Sequence, residues 1–331
     1  MAAHPQVAAV GLPAIQAPVR EQLTGVFDEI RRIIVADFAP IAEANAHLLH
    51  MRGKMFRPTL LLLAARCTGH VTPRDITLGA VVELIHLATL VHDDSVDHSV
   101  LRRGQPTINA LFSHQVAVIM GDYLYSRAII ELVEQDDPEP LRVMARVTNE
   151  MTVGEMRELS AHDVLDYSED EYDRLIRFKT ASLMSAACEI GGLQGSREER
   201  ECLRRYGNYL GMAFQVTDDL LDYTESEAVI GKPTGLDLRE HKITLPLIAA
   251  LPHMASGERR VVEDLMRDPE PGDDLITAVI RLVEHRGGIA AAQERAAQLA
   301  RRAEDELASL APGTARDALR DCVTYAIERR S

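Results

Sequence analysis

LIHLATLVHDDSVDHSVLRRGQPT, residues 84–107, is the stretch that decides how the rest of this chain is interpreted. An apolar run leads directly into three carboxylates, Asp93, Asp94 and Asp97, and an Arg-Arg-Gly turn follows them. Because each helical residue turns by about 100°, Asp93 and Asp97 lie almost above one another, with Asp94 just to the side. Three acids at the end of an apolar helix repel one another, so we expect all three to stay hydrated and to attract a cation.

A second copy of this pattern lies farther along the chain, in residues 214–222, FQVTDDLLD. Asp218, Asp219 and Asp222 have the same i, i+1, i+4 spacing, again on an apolar helical run. Two facing trios of carboxylates suit Mg²⁺, a hard cation that takes oxygen ligands and keeps several waters, shared with an anionic ligand such as a diphosphate. One trio alone is equally compatible with a solvated helix end, but two matched copies favour a metal site.

The composition predicts an all-α fold. The chain has 331 residues, of which 46% are hydrophobic and only 4% aromatic, with no tryptophan. A core of mainly aliphatic side chains favours helices over sheets, and no alternating run bounded by hairpin turns persists. The length alone suggests two domains, but long helices can form one body of this size. We therefore predict a loose arm over residues 1–18 and a single helical domain over residues 19–331.

The charge and the cysteines exclude several classes of protein. A formal net charge of −15 makes the chain a poor binder of nucleic acid. No apolar run reaches the roughly 18 residues that span a membrane, and no basic segment precedes an apolar one as in a signal peptide. We therefore expect a cytoplasmic protein with no integral membrane segment. Four scattered cysteines are expected to be free thiols: Cys67, Cys188, Cys202 and Cys322.

Helical periodicity and basic residues complete the pattern. The main helices are predicted over residues 19–38, 41–50, 75–94, 108–133, 141–159, 170–190 and 197–223. In RGKMFRP, residues 52–58, Lys54 and Arg57 are three apart, so we expect them to share a helix face at a helix start, where an anion binds well. Taken alone, that pair is better explained as a solubilising surface feature. Neither a P-loop nor a GxGxxG motif is present, which disfavours nucleotide binding.

The order of these motifs matches one family. From about residue 53 to residue 246 the sequence resembles the trans-isoprenyl diphosphate synthases, or polyprenyl synthetases. The resemblance is carried by GKxxRP, DDxxD followed by RRG, a Lys-Thr pair, FQxxDDxxD and GK…D…KxTLP. Several motifs in the same order are far more specific than any one of them. The resemblance implies a single large bundle of long helices around a deep central cavity, the isoprenoid synthase fold, usually as a homodimer.

The resemblance also implies a role for each matching residue. The diphosphate of an allylic substrate would carry three Mg²⁺ ions held by Asp93, Asp94, Asp97 and Asp218, with Asp219 and Asp222 acting through water. The same diphosphate would be bound by Arg102, Lys179 and Lys232, with Lys242 nearby. The diphosphate of isopentenyl diphosphate would be bound by Gly53, Lys54, Arg57, His86 and Arg103, although many family members have Gln in place of His86. The implied catalytic residues are Lys179, Thr180 and Gln215, of which Thr180 and Gln215 would lie near the carbocation.

The implied reaction is a Mg²⁺-dependent, successive head-to-tail condensation of isopentenyl diphosphate onto an allylic diphosphate, and the residues under the first trio should set its product length. Family members that stop at fifteen or twenty carbons often carry an aromatic residue four or five positions before Asp93. Here Thr89 and Ala88 are both small, and Ile85 lies one turn deeper. We therefore predict a long product of roughly six to ten isoprene units, about C30 to C50. A floor is expected deeper in the cavity, from Ile119, Met120, Leu124 or Ile129.

Three alternatives remain open at this point. A geranylgeranyl or farnesyl diphosphate synthase would share every motif and differ only in product length. A class I terpene cyclase would not need a second diphosphate site, so Lys54, Arg57 and Arg103 argue against it. A non-catalytic subunit of a hetero-oligomeric synthase tends to lose acids from one trio, whereas both trios are complete here.

Overall fold

The computed structural model describes residues 11–51, 53–159, 167–224 and 234–328. Almost all of the secondary structure in these ranges is helical, which confirms the predicted all-α fold. The helices are α1 (Leu12–Ile15), α2 (Arg20–Ile33), α3 (Ala39–His50), α4 (Phe56–Thr68), α5 (Pro73–Val96), α6 (Ile108–Leu111), α7 (His114–Glu134), α8 (Pro138–Leu159), α9 (Glu169–Ile176), α10 (Ser182–Gly191), α11 (Arg197–Thr224), α12 (Leu236–Arg239), α13 (Leu245–Ala250), α14 (Ser256–Arg267), α15 (Asp273–His285), α16 (Gly288–Leu307) and α17 (Thr314–Glu328).

Short elements join these helices. One antiparallel hairpin, β1 (Leu101–Arg102) and β2 (Gln105–Pro106), follows α5 and was not predicted. Its two strands are only two residues each, which is too short for an alternating pattern to reveal them. A π-helical turn, Arg177–Ala181, connects α9 to α10 within the predicted helix over residues 170–190.

Polar side chains fix where the long helices begin. Thr72 and Asp75 form a reciprocal capping box at the start of α5, and Pro73 occupies its first turn. The Ser113 hydroxyl accepts the Val116 N–H at the start of α7. This cap explains why the predicted helix over residues 108–133 is in fact two helices, α6 and α7.

The predicted arm over residues 1–18 is shorter than expected. Residues 11–18 are largely helical, and the side chain of Ile15 is completely buried against the core. The Gln16 amide also donates hydrogen bonds to the Lys54 carbonyl and the Thr59 hydroxyl, both at 3.0 Å. These contacts attach the segment to the start of α4, so the prediction of a loose arm is wrong for residues 11–18. Residues 1–10 lie outside the described ranges.

Helix α5 lies in the middle of the bundle. It packs along α7, α2 and α4, while α10 packs along α4 and α11, and α16 covers α11. Among the described residues, α5 is the one helix long and apolar enough to cross a membrane by length and composition, which the sequence analysis did not predict. Most of its apolar stretch is buried inside the protein, as expected for a core helix, and burying each such side chain contributes roughly 1.5–3 kcal/mol.

Candidate active site

The first aspartate trio lies at the end of α5, and its three carboxylates differ in exposure. Asp97 is exposed, Asp93 is half-buried, and Asp94 is only 4% exposed. The hairpin β1–β2 brings Arg102 back onto Asp94, where its Nε lies 2.8 and 2.9 Å from the two carboxylate oxygens and its Nη2 lies 2.7 Å from Oδ1. The expectation that all three acids stay hydrated is therefore wrong for Asp94, which is neutralised by a charge-assisted fork of hydrogen bonds.

Asp93 carries an excess of negative charge around it. Burial and, to a lesser extent, the neighbouring carboxylates of Glu155 and Asp97 raise the pKa of the Asp93 carboxyl to about 7, against the opposing effects of Lys179 and Arg102. A carboxyl whose pKa is raised by burial and by nearby acids will ionise more readily once a cation arrives. The surroundings of Asp93 therefore favour a bound cation.

The second trio lies on α11, and only Asp218 is exposed. Asp219 is buried and accepts hydrogen bonds from the Tyr172 hydroxyl at 2.5 Å and from the Gln215 amide at 2.8 Å. Burial raises the pKa of Asp219 to about 7, and these two hydrogen bonds oppose the rise. Asp222 has no exposed surface and accepts the backbone N–H groups of Leu236 and Asp237, at 3.2 and 3.0 Å, at the start of α12.

The π-helical turn Arg177–Ala181 links the two trios. Its Lys179 lies close enough to Asp93 for the two charges to influence each other. Its Thr180 hydroxyl donates to the Gln215 Oε1 at 2.8 Å, and Gln215 in turn donates to Asp219. The adjacent residues Lys179 and Thr180 therefore face one trio each. Turns of this π-helical type occur frequently at functional sites.

Two glycines allow that turn to sit between its neighbours. A Cβ added to Gly154 of α8 would lie 3.0 Å from the Phe178 Cβ and 3.1 Å from the Lys179 amide nitrogen. A Cβ added to Gly211 of α11 would lie 2.5 Å from the Ala181 Cα. Any larger residue would push the turn away from one helix or the other, so these glycines fix the position of Lys179 and Thr180.

The lysines predicted to bind the allylic diphosphate contact acids of the protein. Lys179 pairs with Glu155 at 3.0 Å and with Glu158. Burial acts to lower its pKa, but Glu158 and Glu155 outweigh it and hold the pKa above its ordinary value. Lys242 pairs with Glu240 at 2.8 Å and lies within electrostatic range of Glu158 and Asp97. Lys232 lies outside the described residues.

The residues predicted to bind isopentenyl diphosphate form a second site, next to α5. A Cβ added to Gly53 would lie 3.2 Å from Glu83 Oε1 and 3.3 Å from Arg103 Nη1, so both side chains reach the same stretch of backbone. Arg57 is influenced by the charges of both Glu83 and Arg103. Burial lowers the pKa of His86 well below its ordinary value, and Arg57 and Arg103 lower it further, which keeps the ring neutral. The residues predicted to bind isopentenyl diphosphate therefore converge.

One prediction about this second site is wrong. Lys54 and Arg57 were expected to share a helix face, but α4 begins at Phe56, after Lys54. Met55, the residue before the helix, has a left-handed backbone with φ 52°. Lys54 is exposed, and its Nζ lies 5.9 Å from the centre of the Tyr325 ring of α17. A cation–π contact rather than helical spacing therefore positions this lysine.

An apolar cavity of about 560 Å³ begins beside the first trio. It is lined by Asp93 and Lys179 and also by Ile85, Ala88 and Thr89, the three residues predicted to control chain length. Helices α7 and α8 form its other walls, where the Tyr125 and Thr148 hydroxyls are hydrogen-bonded at 3.2 Å. On α7 the lining residues are Asp122 and Tyr125. The four floor candidates, Ile119, Met120, Leu124 and Ile129, do not line it.

Four acidic or aromatic residues of these sites were missed by the sequence analysis because none belongs to a recognised motif. Glu155 and Glu158 are spaced i, i+3 on α8, which is a pattern of any solvated helix face. Tyr172 and Glu83 are buried, and no local signal indicates that Tyr172 bonds to Asp219 or that Glu83 lies within electrostatic range of Arg57 and Arg103. The four are Glu83, Glu155, Glu158 and Tyr172.

Comparison with known proteins gives a consistent result. A family model described as polyprenyl synthetase matches residues 39–283. The chain is 37% identical over 320 residues to the heptaprenyl diphosphate synthase component 2 of Geobacillus stearothermophilus. That alignment covers 95% of this chain and 98% of the Geobacillus protein. It is 38% identical over 319 residues to the all-trans-nonaprenyl-diphosphate synthase (geranyl-diphosphate specific) of Rhodobacter capsulatus. That alignment covers 95% of this chain and 97% of the Rhodobacter protein.

The similarity extends to a solved structure. The crystal structure of polyprenyl synthase from Caulobacter crescentus CB15, complexed with calcium and isoprenyl diphosphate, matches the chain with a TM-score of 0.92 and 33% identity. The match covers 98% of this chain and 99% of that one. Both trios also lie within residues 39–283, which the family model matches.

Proposed function

The chain belongs to the polyprenyl synthetase family as a trans-isoprenyl diphosphate synthase of the long-chain type, and we propose that it extends an allylic diphosphate by successive additions of isopentenyl diphosphate. Its activity class is prenyl transfer. The observation that carries the proposal is that one cavity is lined both by the charged Asp93 and Lys179 and by the apolar Ile85 and Ala88. A substrate with a diphosphate at one end and a hydrocarbon tail at the other needs such a lining.

We propose that the two aspartate trios hold Mg²⁺ together with the allylic diphosphate, with three ions as the family resemblance implies. The donor set fits a hard divalent cation, because Asp93, Asp97 and Asp218 offer carboxylate oxygens that are at least partly exposed. Among the described residues no three acidic, histidine or cysteine side chains form a complete metal site, and we propose that phosphate oxygens supply the other ligands. When bound, the metal neutralises charge on the leaving diphosphate.

In this proposal the buried carboxylates of Asp94, Asp219 and Asp222 do not bind the metal directly. Asp94 holds Arg102, Asp219 orients Gln215, and Asp222 fixes the start of α12. These contacts support a second layer of residues that positions the cations and the exposed carboxylates. Asp219 and Asp222 would then act on the metal through water, as the resemblance implies.

The chain's own cations favour departure of the diphosphate. Arg102, Lys179 and Lys242, with Lys232, are proposed to neutralise the charge that develops as the allylic C–O bond breaks. Thr180 and Gln215 present oxygen dipoles beside the cation that remains, and their mutual hydrogen bond fixes these dipoles in place. The double bond of isopentenyl diphosphate then forms the new C–C bond. A proton leaves the extended chain for the released diphosphate, and the product is again an allylic diphosphate.

The small residues under the first trio support a long product of about C30 to C50. Ala88 and Thr89 line the cavity at the positions where an aromatic side chain would close it, one turn above Ile85. The Rhodobacter relative is a nonaprenyl and the Geobacillus relative a heptaprenyl enzyme component by name. These products lie in the proposed range, whereas a farnesyl or geranylgeranyl synthase would need the cavity to end near Ala88.

We propose that two copies of the chain form a homodimer through α7 and α8. These two helices present exposed apolar side chains at helical spacing, with Ile119 60% exposed and Val133 61% exposed. Further exposed apolar residues on the same helices are Val118, Ile130, Val153, Met156 and Leu159. Exposed apolar side chains concentrated on two adjacent helices are typical of a protein interface. Light scattering on a size-exclusion column should give twice the chain mass, and a monomer would contradict the proposal.

One assay tests the proposed function. The purified chain is incubated with Mg²⁺, isopentenyl diphosphate and farnesyl or geranyl diphosphate, and the products are dephosphorylated and separated by length. We expect products of about C30 to C50 and no turnover after the metal is chelated. Accumulation at C20 would identify a geranylgeranyl synthase, and a reaction that does not consume isopentenyl diphosphate would indicate a cyclase. Inactivity with both substrates would indicate that a second subunit is required.

We also propose that the enzyme acts in the cytoplasm, at the membrane surface or with a carrier for its hydrophobic product. Cell fractionation followed by immunoblotting would test the location, since recovery only after detergent extraction of membranes would contradict it.

A further inference from the structure

Glu83 is a buried carboxylate to which the reaction described above gives no role. It lies on α5 in the turn before His86, and its residue is only 4% exposed. An ionised carboxylate loses its hydration on burial, and this is unfavourable unless positive groups compensate. Such a residue in the middle of a core helix therefore indicates specific cationic partners.

The positive charges that act on Glu83 belong to two of the residues assigned to isopentenyl diphosphate, Arg57 and Arg103. Its Oε1 and the Arg103 Nη1 both lie against the Gly53 backbone, at 3.2 and 3.3 Å from where a Cβ would be. Burial raises the pKa of Glu83, while Arg57 and then Arg103 act to lower it. Burial lowers the pKa of Arg57 to about 10, and Glu83 opposes that fall. One buried carboxylate therefore lies within electrostatic range of two guanidinium groups.

Both ends of this charge group have unused hydrogen-bonding capacity. Among the described residues, Arg57 Nε and Glu83 Oε2 are buried without a hydrogen-bond partner. The charge of Arg103 disfavours the charge of Arg57, as expected of two cations that repel each other. With one carboxylate beside two cations, the group keeps a single positive charge for an anionic ligand, and Lys54 adds another.

We propose that Glu83 is a positioning residue of the isopentenyl diphosphate site, whose carboxylate holds the Arg57 and Arg103 guanidinium groups together beside Gly53. The proposal rests on the function proposed above and names a residue for it that no motif contains. Glu83 does not contact the substrate, since a carboxylate repels a diphosphate. It acts by keeping two cations in an arrangement that they would not adopt unaided.

Two physical interpretations predict opposite results for Glu83→Gln. If Glu83 only subtracts charge, the variant makes the site more positive, and KM for isopentenyl diphosphate falls. If Glu83 positions the arginines, they separate in the variant, and that KM rises. We expect a rise of about tenfold or more, because removing one partner of a buried charge pair leaves the others uncompensated. KM for the allylic substrate should stay within about twofold, since that site contains neither arginine.

The chain offers a matched control and a conservative variant. Glu189, near the end of α10, is also buried, and its carboxylate lies 2.7 Å from Arg146 and 2.9 Å from Arg200. Glu189→Gln should lower the melting temperature without changing the ratio of the two KM values. Glu83→Asp keeps the charge with a shorter reach, and its KM for isopentenyl diphosphate should lie between those of wild type and Glu83→Gln. If Glu83→Gln does not fold, the comparison is made with Glu83→Asp.

A binding measurement separates this proposal from the proposed function. Inorganic pyrophosphate is titrated calorimetrically into metal-free wild type, Glu83→Gln and Glu189→Gln, with a chelator present so that the acidic trios repel the anion. We expect about tenfold weaker binding in Glu83→Gln alone. Equal or tighter binding in that variant, or an unchanged or lower KM for isopentenyl diphosphate, would overturn the positioning role. Wild type that binds pyrophosphate and consumes no isopentenyl diphosphate would instead contradict the proposed function.

Discussion

The two aspartate trios have the same spacing in the sequence and different surroundings in the structure. At the end of α5 the outer acids Asp93 and Asp97 are accessible, and only the middle acid, Asp94, is buried against an arginine. On α11 the pattern is reversed, because the first acid, Asp218, is exposed and the other two are buried. Spacing places three carboxylates along a helix, but the groups packed against that helix decide which of them can meet a ligand.

The two trios also differ in what lies one helical turn before them. Ahead of Asp93, Ala88 and Thr89 leave room and line the apolar cavity. Four residues before Asp218 stands Phe214, whose ring stacks on Phe56 with centroids 5.9 Å apart. The first trio therefore stands above open space and the second above packed core, which indicates that the growing chain descends along α5 rather than α11.

The largest expected effect concerns an accessible acid. Asp93→Asn should lower kcat/KM by about 10²–10³-fold, because the variant loses a charge that acts directly on the metal-loaded diphosphate. Steady-state kinetics with saturating Mg²⁺ would measure it. Asp136→Asn, in the exposed turn after α7, is the control and should leave the rate unchanged. Retention of half the activity by Asp93→Asn would contradict the assigned role.

A smaller effect separates the buried from the exposed acid of the second trio. Asp222→Asn should cost about 1–3 kcal/mol of unfolding free energy, because the amide cannot accept both backbone N–H groups at the start of α12. Asp218→Asn should leave stability nearly unchanged while it lowers activity. Urea unfolding of the two variants provides the comparison. Equal destabilisation by Asp222→Asn and Asp218→Asn would show that the two acids do not differ in their contribution to folding.

The third expected effect is a change in product rather than in rate. Ala88→Phe should shorten the main product, because an aromatic ring would fill the cavity beneath Asp93. Leu90→Phe, on the same helix but outside the cavity lining, should leave product length unchanged. Products are separated by reversed-phase chromatography after dephosphorylation. Unchanged chain length in Ala88→Phe would refute the course of the cavity along α5.

The smallest expected effect is a pH dependence of the metal-free protein. Burial, with Glu155 and Asp97, raises the folded pKa of Asp93 from 3.8 to about 7. Between these two pH values the folded state keeps a proton on Asp93 that the unfolded state releases. The contribution of protonated Asp93 to the free energy of unfolding is therefore complete below pH 3.8 and is lost as the pH rises through about 7. Chemical unfolding at about pH 5 and about pH 8 should show a larger loss in wild type than in Asp93→Asn. The same loss in both would exclude Asp93 as its source.

Much of the fold could be predicted because helical signals are local. Periodicity predicted the long helices, and the capping residues Thr72 and Ser113 lie within a few positions of the helices they start. The convergence of Gly53, Arg57 and Arg103 was implied by family resemblance and is present in the structure. The hairpin, the packed segment around Ile15 and the start of α4 after Lys54 were not predicted, because each depends on contacts between distant parts of the chain.

The sequence by itself determined the all-α architecture, the two acid-rich helices and the small residues under the first trio, since composition and short-range spacing are sufficient for these features. Only the tertiary structure decided that Asp94, Asp219 and Asp222 face protein groups, and that Glu83 is buried within electrostatic range of Arg57 and Arg103. The physical reason is that the role of a charged side chain depends on its burial and on the charges around it. Both are set by residues that are far apart in the chain and meet only when it folds.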